Sequence, residues 1–336
     1  MGNEEGHFAA TADLPKSEAV PDTPDLSGET ATTVGANKAE EASKVVPWPT
    51  LIQTGNTKEI GERFASEVSA ILKSNGMQDA CVLGLLEPNS SIDSTDLDQV
   101  FTSLTQLNRD RSKDVVLLLL TRGGAIEPAY QISKLCKSFA AKRFIAVVPR
   151  FAKSAATLIA LGADEIHMGP LGELGPIDPQ LTGGLPALAV SQALKTIAAL
   201  AQEFPGSAEM FARYLRMALK VEQIGYCDRI SESAVQYAVR LLSTKHALPK
   251  DAELVAKELV HEYKDHGFVI EIEEARMHLG KDWIKTESPE LTAAEAIYSL
   301  FDMVNFFLGF IKSKYLIVIG GVTLPDSIHI YKKPKE

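Results

Sequence analysis

The chain has 336 residues, of which 45% are hydrophobic and 23% are charged, enough apolar material for a large core in one or two domains. Its formal net charge of -10 argues against nucleic acid as a partner, because phosphates require a basic surface, and against attraction to anionic lipid. Three widely spaced cysteines without a CxxC pair argue against a cysteine-based zinc site and favour a reducing compartment. We expect a cytoplasmic protein without a metal ion or other cofactor.

Residues 1–46 differ in composition from the rest of the chain. They hold nine acidic residues, three lysines and a single aromatic residue, Phe8. Such a segment cannot bury enough apolar area to offset the entropy lost on ordering, so it is predicted to be a disordered acidic tail. It has no apolar stretch that resembles a signal peptide.

From residue 57 to residue 168, helical and strand patterns alternate along the chain. Helical periodicity predicts helices over 57–74, 96–107 and 127–139, and a short helix over 154–161. Short apolar runs predict buried strands over 80–86, 115–120, 144–148 and 165–168. This alternation, with short connections, favours an α/β core with parallel strands and right-handed crossovers.

From about residue 188 the pattern becomes helical, and the last part of the chain alternates like a short hairpin over 315–319 and 327–331. The most apolar late stretch, 303–311, is too short to span a bilayer. We therefore predict a core or oligomer-interface helix there, and no membrane span.

Two positions break local rules in the way that active sites do. Gly123 and Gly124 follow a buried strand at its carboxyl end, where the crevice of an open α/β sheet binds ligands. Ser154 follows the next strand at the start of a helix, where free N–H groups favour negative charge. A plain tight turn and a helix N-cap remain the alternative interpretations of these two features.

Together with the run from Leu158 to Gln180 (LIALGADEIHMGPLGELGPIDPQ), these motifs resemble the serine dehydrogenase proteinase family. These are serine peptidases of the Clp/crotonase-like fold, related to signal peptide peptidase A and the Clp proteolytic subunit. The resemblance is strong over residues 112–180 and weaker at Lys264–Ile270. It implies an α/β spiral core with a helical C-terminal half, a peptide or protein substrate, and a homo-oligomer.

The resemblance implies a catalytic core at 47–187 and a mostly helical extension at 188–336 that completes the site and the oligomer interface. Ser154 matches the nucleophile. The N–H groups of Gly123 and Ala155 match the oxyanion donors, and Gly124 supports the turn.

Three residues depart from the family pattern around these motifs. Arg122 stands where the family has Pro, Lys153 replaces an uncharged residue, and Ala156 replaces Gly. The cations at 122 and 153 could favour acidic substrates, could mark a changed activity, or could be solvated charges on the rim of the site.

The general base is open at this level. Asp178 stands where the Clp proteolytic subunit has His, which puts that triad in doubt. Some relatives use a Ser-Lys dyad, and Lys195, set among apolar residues, has a suitable spacing; burial there would make it a base. The structural alternative is that Lys195 lies on an amphipathic helix and extends its ammonium group to solvent. His266 and His167 are the alternative bases.

The sequence thus predicts a serine endopeptidase that works through an acyl-enzyme on Ser154, with Lys195 as the preferred base. Two other classes remain open. One is an inactive oligomeric scaffold, and the other is a crotonase-type acyl-thioester enzyme that would need a carboxylate such as Asp178.

Overall fold

The computed structural model describes residues 46–179, 187–218, 221–246 and 248–333, with the backbone alone at 187, 188, 221–224 and 227. Apart from Val46, the tail predicted over residues 1–46 lies outside the described residues. The described residues from 46 onward fall in one compact unit, so the described segment after 188 belongs to the same body as the segment before it.

The predicted helices and strands occur in the predicted order, with boundaries that differ by a few residues. The helix Trp48–Thr54 and the short strands Phe151–Ala152, Glu173–Leu174 and Ile284–Lys285 were not predicted. The helices are α1 (Trp48–Thr54), α2 (Thr57–Ser74), α3 (Ser94–Leu107), α4 (Ile126–Phe139), α5 (Ala155–Leu161), α6 (Ala187–Glu203), α7 (Ala208–Ala218), α8 (Val221–Leu242), α9 (Ala252–Lys257), α10 (Ile272–Leu279) and α11 (Pro289–Lys312). The strands are β1 (Cys81–Glu87), β2 (Val115–Thr121), β3 (Phe144–Val148), β4 (Phe151–Ala152), β5 (Glu165–Met168), β6 (Glu173–Leu174), β7 (Ile284–Lys285), β8 (Lys314–Gly321) and β9 (Ile328–Lys332).

These strands form a mixed sheet in the order β7-β5-β3-β2-β1-β8-β9, and β4 and β6 branch from β2. The pairs among β1, β2, β3, β5 and β7 are parallel, whereas β8 pairs antiparallel with both β1 and β9. The predicted terminal hairpin is therefore confirmed, and it is also part of the main sheet. Thr121 at the end of β2 pairs with Ala152 of β4, so the turns that follow these two strands lie side by side.

The core consists of two hydrophobic clusters, one on each face of the sheet. Strand β2 shows the division, because Val115, Leu117 and Leu119 belong to one cluster and Val116, Leu118 and Leu120 to the other. Alternate side chains of a strand point to opposite faces, and so a continuous run of Val and Leu indicates a strand covered on both sides. Helices α3, α4, α5 and α8 contribute to the first cluster, and α1, α2 and α11 to the second.

Helix α11 covers the second face but is only partly buried. Ile297, Phe301 and Val304 lie in the core, while Phe306 and Phe310 are 65% and 83% exposed. The helix has 24 residues, longer than the predicted apolar stretch, and a mean hydropathy of 1.4 over its most apolar window. By length and composition it could cross a membrane, although core helices of soluble proteins also meet this criterion.

Candidate active site

Ser154 occupies a strained turn between β4 and α5. Its φ of 52° and ψ of -117° lie in a region that non-glycine residues rarely adopt, at a typical cost of about 1–3 kcal/mol. Within the described chain, its side chain makes no capping hydrogen bond to α5. Ser154 therefore occupies the N-cap position without capping the helix, and the strained turn holds this buried residue, 8% exposed, at the start of α5.

The Gly-Gly turn lies against Ser154. Gly123 has φ of 100°, and a Cβ at this position would lie 2.7 Å from the Lys153 carbonyl oxygen, 2.8 Å from Ser154 Cβ and 2.9 Å from the Ala155 nitrogen. A side chain at Gly124 would collide with the backbone of Ile92, at 2.3 Å. Glycine is thus required at both positions, because neighbouring segments approach the backbone too closely for a side chain. The alternative interpretation as an ordinary tight turn does not account for this close approach.

The end of β1 supports this turn. Gly123 N–H donates to Thr121 Oγ1 at 3.3 Å, and that hydroxyl donates to Glu87 Oε1 at 3.5 Å. Glu87 is 1% exposed. Burial, followed by the negative charge of Asp96, raises the pKa of the Glu87 carboxyl to about 8. A buried polar chain therefore leads from β1 to the glycine turn.

His266 and Asp178 form a hydrogen-bonded pair between His266 Nδ1 and Asp178 Oδ1. Asp178 is buried, and its carboxylate can only accept, which assigns the proton to Nδ1 and leaves Nε2 as the acceptor of the neutral ring. The hydrogen bond to Asp178 raises the pKa of His266, against partial burial, which lowers it. Asp178 therefore orients the imidazole of His266 and favours its protonation.

Ser154 and His266 line the same cleft, which has a volume of about 810 Å³. The glycine turn and Pro179, next to Asp178, also line it. Its other polar or charged lining residues are Ser91, Arg122, Glu127, Tyr226, Arg229 and Ser233. A cleft of this size accommodates several residues of an extended peptide or a small ligand.

The two unexpected cations have different environments. Arg122 is exposed on the cleft, with its guanidinium carbon 5.3 Å from the centre of the Phe151 ring. Lys153 is buried and pairs with Glu173 at 3.0 Å. The interpretation of Lys153 as a solvated rim charge is therefore wrong, because its side chain points into the protein.

Two of the candidate bases lie elsewhere. Lys195 is exposed on α6, and it is not among the described residues that line the cleft with Ser154. The prediction that it is buried is wrong, because none of the described side chains of α6 is buried. His167 is buried on β5, with Nε2 3.0 Å from Glu165 Oε2 and Nδ1 2.7 Å from Ser288 Oγ.

Comparison with protein families gives an independent result. The sequence model of the ClpP-like SDH-type serine proteinases matches residues 57–306. The uncharacterized protein MJ0137 of Methanocaldococcus jannaschii is 31% identical over 193 residues, 57% of this chain and 59% of the relative. The uncharacterized protein MJ1495 of the same organism is 39% identical over 77 residues, 23% of this chain and 26% of the relative. The chain therefore matches less than two thirds of the length of these relatives.

Two solved structures align with parts of this chain. A structure of the 1510-N membrane-bound stomatin-specific protease aligns with 63% of this chain and 83% of its own, at a TM-score of 0.41 and 17% identity. ClpP1 from Listeria monocytogenes aligns with 65% of this chain and 99% of its own, at a TM-score of 0.39 and 14% identity.

Proposed function

Because the chain belongs to the ClpP-like SDH-type serine proteinases, we propose that it hydrolyses peptide bonds through an acyl-enzyme on Ser154. In this proposal His266 is the general base and Asp178 orients it. The observation that carries the proposal is that Ser154 and the His266–Asp178 pair line or adjoin one cleft. The Lys195 base is not retained, because an exposed ammonium lacks the desolvation that the role requires.

The chemistry follows from the residues. Ser154 Oγ attacks the carbonyl carbon of the scissile bond while its proton moves to Nε2 of His266. The imidazolium is stabilised by the Asp178 carboxylate, and it then protonates the leaving amine as the C–N bond breaks. Water, deprotonated by His266, hydrolyses the acyl-enzyme and returns Ser154 to its hydroxyl form.

The oxyanion of the tetrahedral intermediate needs donors beside Ser154. The N–H of Ala155, in the first turn of α5, has no carbonyl partner within its helix. The Gly123 N–H expected as the second donor already donates to Thr121 Oγ1 at 3.3 Å, so the other N–H of the turn, that of Gly124, is the second donor in this proposal. One such donor is typically worth about 2.7–4 kcal/mol of transition-state stabilisation.

Covalent labelling tests the proposal directly. A fluorophosphonate probe should form one adduct on Ser154, detected by intact mass and located by peptide mapping. Ser154→Ala should abolish the adduct, while Ser91→Ala and Ser233→Ala, which remove other hydroxyls from the same cleft, should retain it. An unlabelled, folded wild-type protein would instead favour an oligomeric scaffold without activity. Rapid turnover of acyl-CoA esters with no peptide hydrolysis would favour the acyl-thioester alternative.

We also propose that the protein is a homo-oligomer. Phe306 and Phe310 of α11 stack in parallel, with ring centres 6.3 Å apart, and both are exposed. Met217 at the end of α7 is 89% exposed. Exposed apolar surfaces of this kind are stabilised by burial against another subunit. Sedimentation as a monomer at micromolar concentration would contradict the proposal.

A further inference from the structure

The ammonium group of Lys153 has three acceptors. Its Nζ donates to the Leu174 carbonyl oxygen at 3.1 Å and to the Phe268 carbonyl oxygen at 3.0 Å, and it pairs with Glu173 Oε1 at 3.0 Å. An ammonium group has three N–H bonds, so these contacts use all of them. The side chain is only 10% exposed. Lys153 is thus a buried cation with a complete set of partners.

These acceptors lie on the two segments that carry the His-Asp pair. Leu174 ends β6, four residues before Asp178, and Phe268 stands two residues after His266. The two segments are also joined by reciprocal backbone hydrogen bonds between Leu174 and Ile270, at 2.9 and 3.1 Å. Lys153 itself precedes Ser154 directly. A single side chain therefore connects the Ser154 turn to both partner segments.

We propose that Lys153 is a positioning residue, which holds the His266 loop and the segment leading to Asp178 at a fixed distance from the Ser154 turn. The inference rests on the proposed function of Ser154, His266 and Asp178. Lys153 does not act as the base, because its three N–H bonds are directed at the Leu174 and Phe268 carbonyl oxygens and at Glu173 rather than at Ser154.

A glycine at position 175 leaves space for the Lys153 side chain to reach its acceptors. A Cβ at Gly175 would lie 2.5 Å from Lys153 Cδ and 3.4 Å from its Cα. Even a methyl group at 175 would displace the lysine from its acceptors. The glycine that follows Leu174 is therefore part of the same arrangement, and Gly175→Ala should reproduce some of the effects of removing the ammonium.

Lys153 also acts on the charge of the imidazole. Asp178 and Asp265 raise the pKa of His266, whereas the Lys153 cation lowers it. Arg122, Arg229 and Glu127 line the same cleft. Loss of the ammonium removes a positive charge and leaves Glu173 without its cation, and both changes favour the imidazolium. In the proposed mechanism the labelling rate falls at low pH as His266 becomes protonated. This acid limb of the pH–rate profile should then move to higher pH.

Lys153→Met tests this role, since it keeps the length of the side chain and removes the ammonium. The second-order rate of labelling by the fluorophosphonate should fall by about 10–100-fold, because misplacement of a catalytic group by about 1 Å can cost about 10²-fold. The acid limb of the labelling rate should move to higher pH. In Lys153→Ala, n-propylammonium should restore part of the rate in a saturable way. Lys153→Met leaves no space for the amine and should not respond, and uncharged n-propanol should not rescue either variant.

Lys245→Met is the matched control. Lys245 is a half-buried lysine, and its Nζ donates to the carbonyl oxygens of Gly162 and Ala163, outside the cleft lining. Its loss should lower the free energy of unfolding without changing the acid limb. A purely structural Lys153 would behave in the same way, with a lower stability and an unchanged pH profile, and that result would overturn the proposal.

A second readout separates this inference from the proposed function. The Cε1 resonance of His266, assigned by comparison with His266→Gln, should titrate at higher pH in Lys153→Met than in the wild type. If the wild type is not labelled but this titration moves, the proposed function fails and the link from Lys153 to His266 stands. If the wild type is labelled and neither the rate nor the titration changes in Lys153→Met, the role of Lys153 is refuted.

Discussion

Replacement of Gly123 by alanine tests whether the glycine turn shapes the oxyanion site. The new Cβ would stand 2.7–2.9 Å from Lys153, Ser154 and Ala155, at a φ of 100°. The left-handed backbone costs an L-residue about 1–2 kcal/mol, and overpacking of this kind adds about 1–3 kcal/mol. We expect the unfolding free energy to fall by the sum of these costs.

Gly76→Ala separates the two contributions. Gly76 has a φ of 72°, but no described heavy atom lies within 4 Å of the Cβ that would be added. It therefore carries the backbone cost alone. Urea unfolding of both variants should show a larger loss for Gly123→Ala, and the difference should equal the cost of overpacking.

Activity should separate the variants more strongly. Displacing the Ala155 nitrogen or the turn removes one oxyanion donor, which typically lowers the rate by about 10²–10³-fold. Gly76→Ala, at the end of α2, should label with the fluorophosphonate at the wild-type rate. The reasoning is refuted if Gly123→Ala reacts at nearly the wild-type rate, or if it is no less stable than Gly76→Ala.

Two further predictions follow from the buried carboxyl groups. Asp178→Asn should lower the labelling rate by about 10⁴-fold through the wrong imidazole tautomer, and because the bond to Asp178 raises the pKa of His266, the remaining acid limb should move to lower pH; an unchanged limb would contradict the pairing. Glu87 keeps its proton in the folded state up to about pH 8, whereas its unfolded value is 4.5, so stability should decrease as pH rises through this window. Glu87→Gln should make that decrease smaller, as measured by urea unfolding at about pH 5 and about pH 9, while the raised pKa of Asp96 keeps part of it; an equally steep decrease in the variant would count against a protonated Glu87.

The layered core was predictable because it depends on local patterns. The run Val115–Leu120 indicates a strand buried on both faces, and the structure divides its side chains between two clusters. The position of β8 was not predictable in the same way. Its alternation predicts a strand, but its pairing with β1 joins residues more than two hundred positions apart, which no local pattern reports.

The Gly123–Gly124 turn beside Ser154 was also accessible from sequence, because the close approach of the backbone there requires glycine. The general base was not accessible in this way. Lys195 has the right spacing and apolar neighbours, yet burial depends on what packs around α6, and the described part of the chain leaves Lys195 exposed. The signal for His266 was the aspartate at 178, where relatives of the Clp type have His. An acid there needs a histidine from elsewhere in the chain.

The contacts of Lys153 could not be predicted from the sequence for a third reason. Two of its three acceptors are backbone carbonyl oxygens, 21 and 115 residues away in the chain. Every residue type offers a carbonyl, so the sequence carries no signal for such a contact.

The identity of the base is the central claim, and the labelling rates of His266→Ala and Lys195→Ala test it most directly. Both variants should be measured with the fluorophosphonate across the pH range, beside the wild type and Ser154→Ala. Loss of a general base typically costs about 10²–10⁴-fold, so His266→Ala should fall by that factor and lose the acid limb, while Lys195→Ala should match the wild type. The account is contradicted if Lys195→Ala loses its reactivity and His266→Ala keeps it.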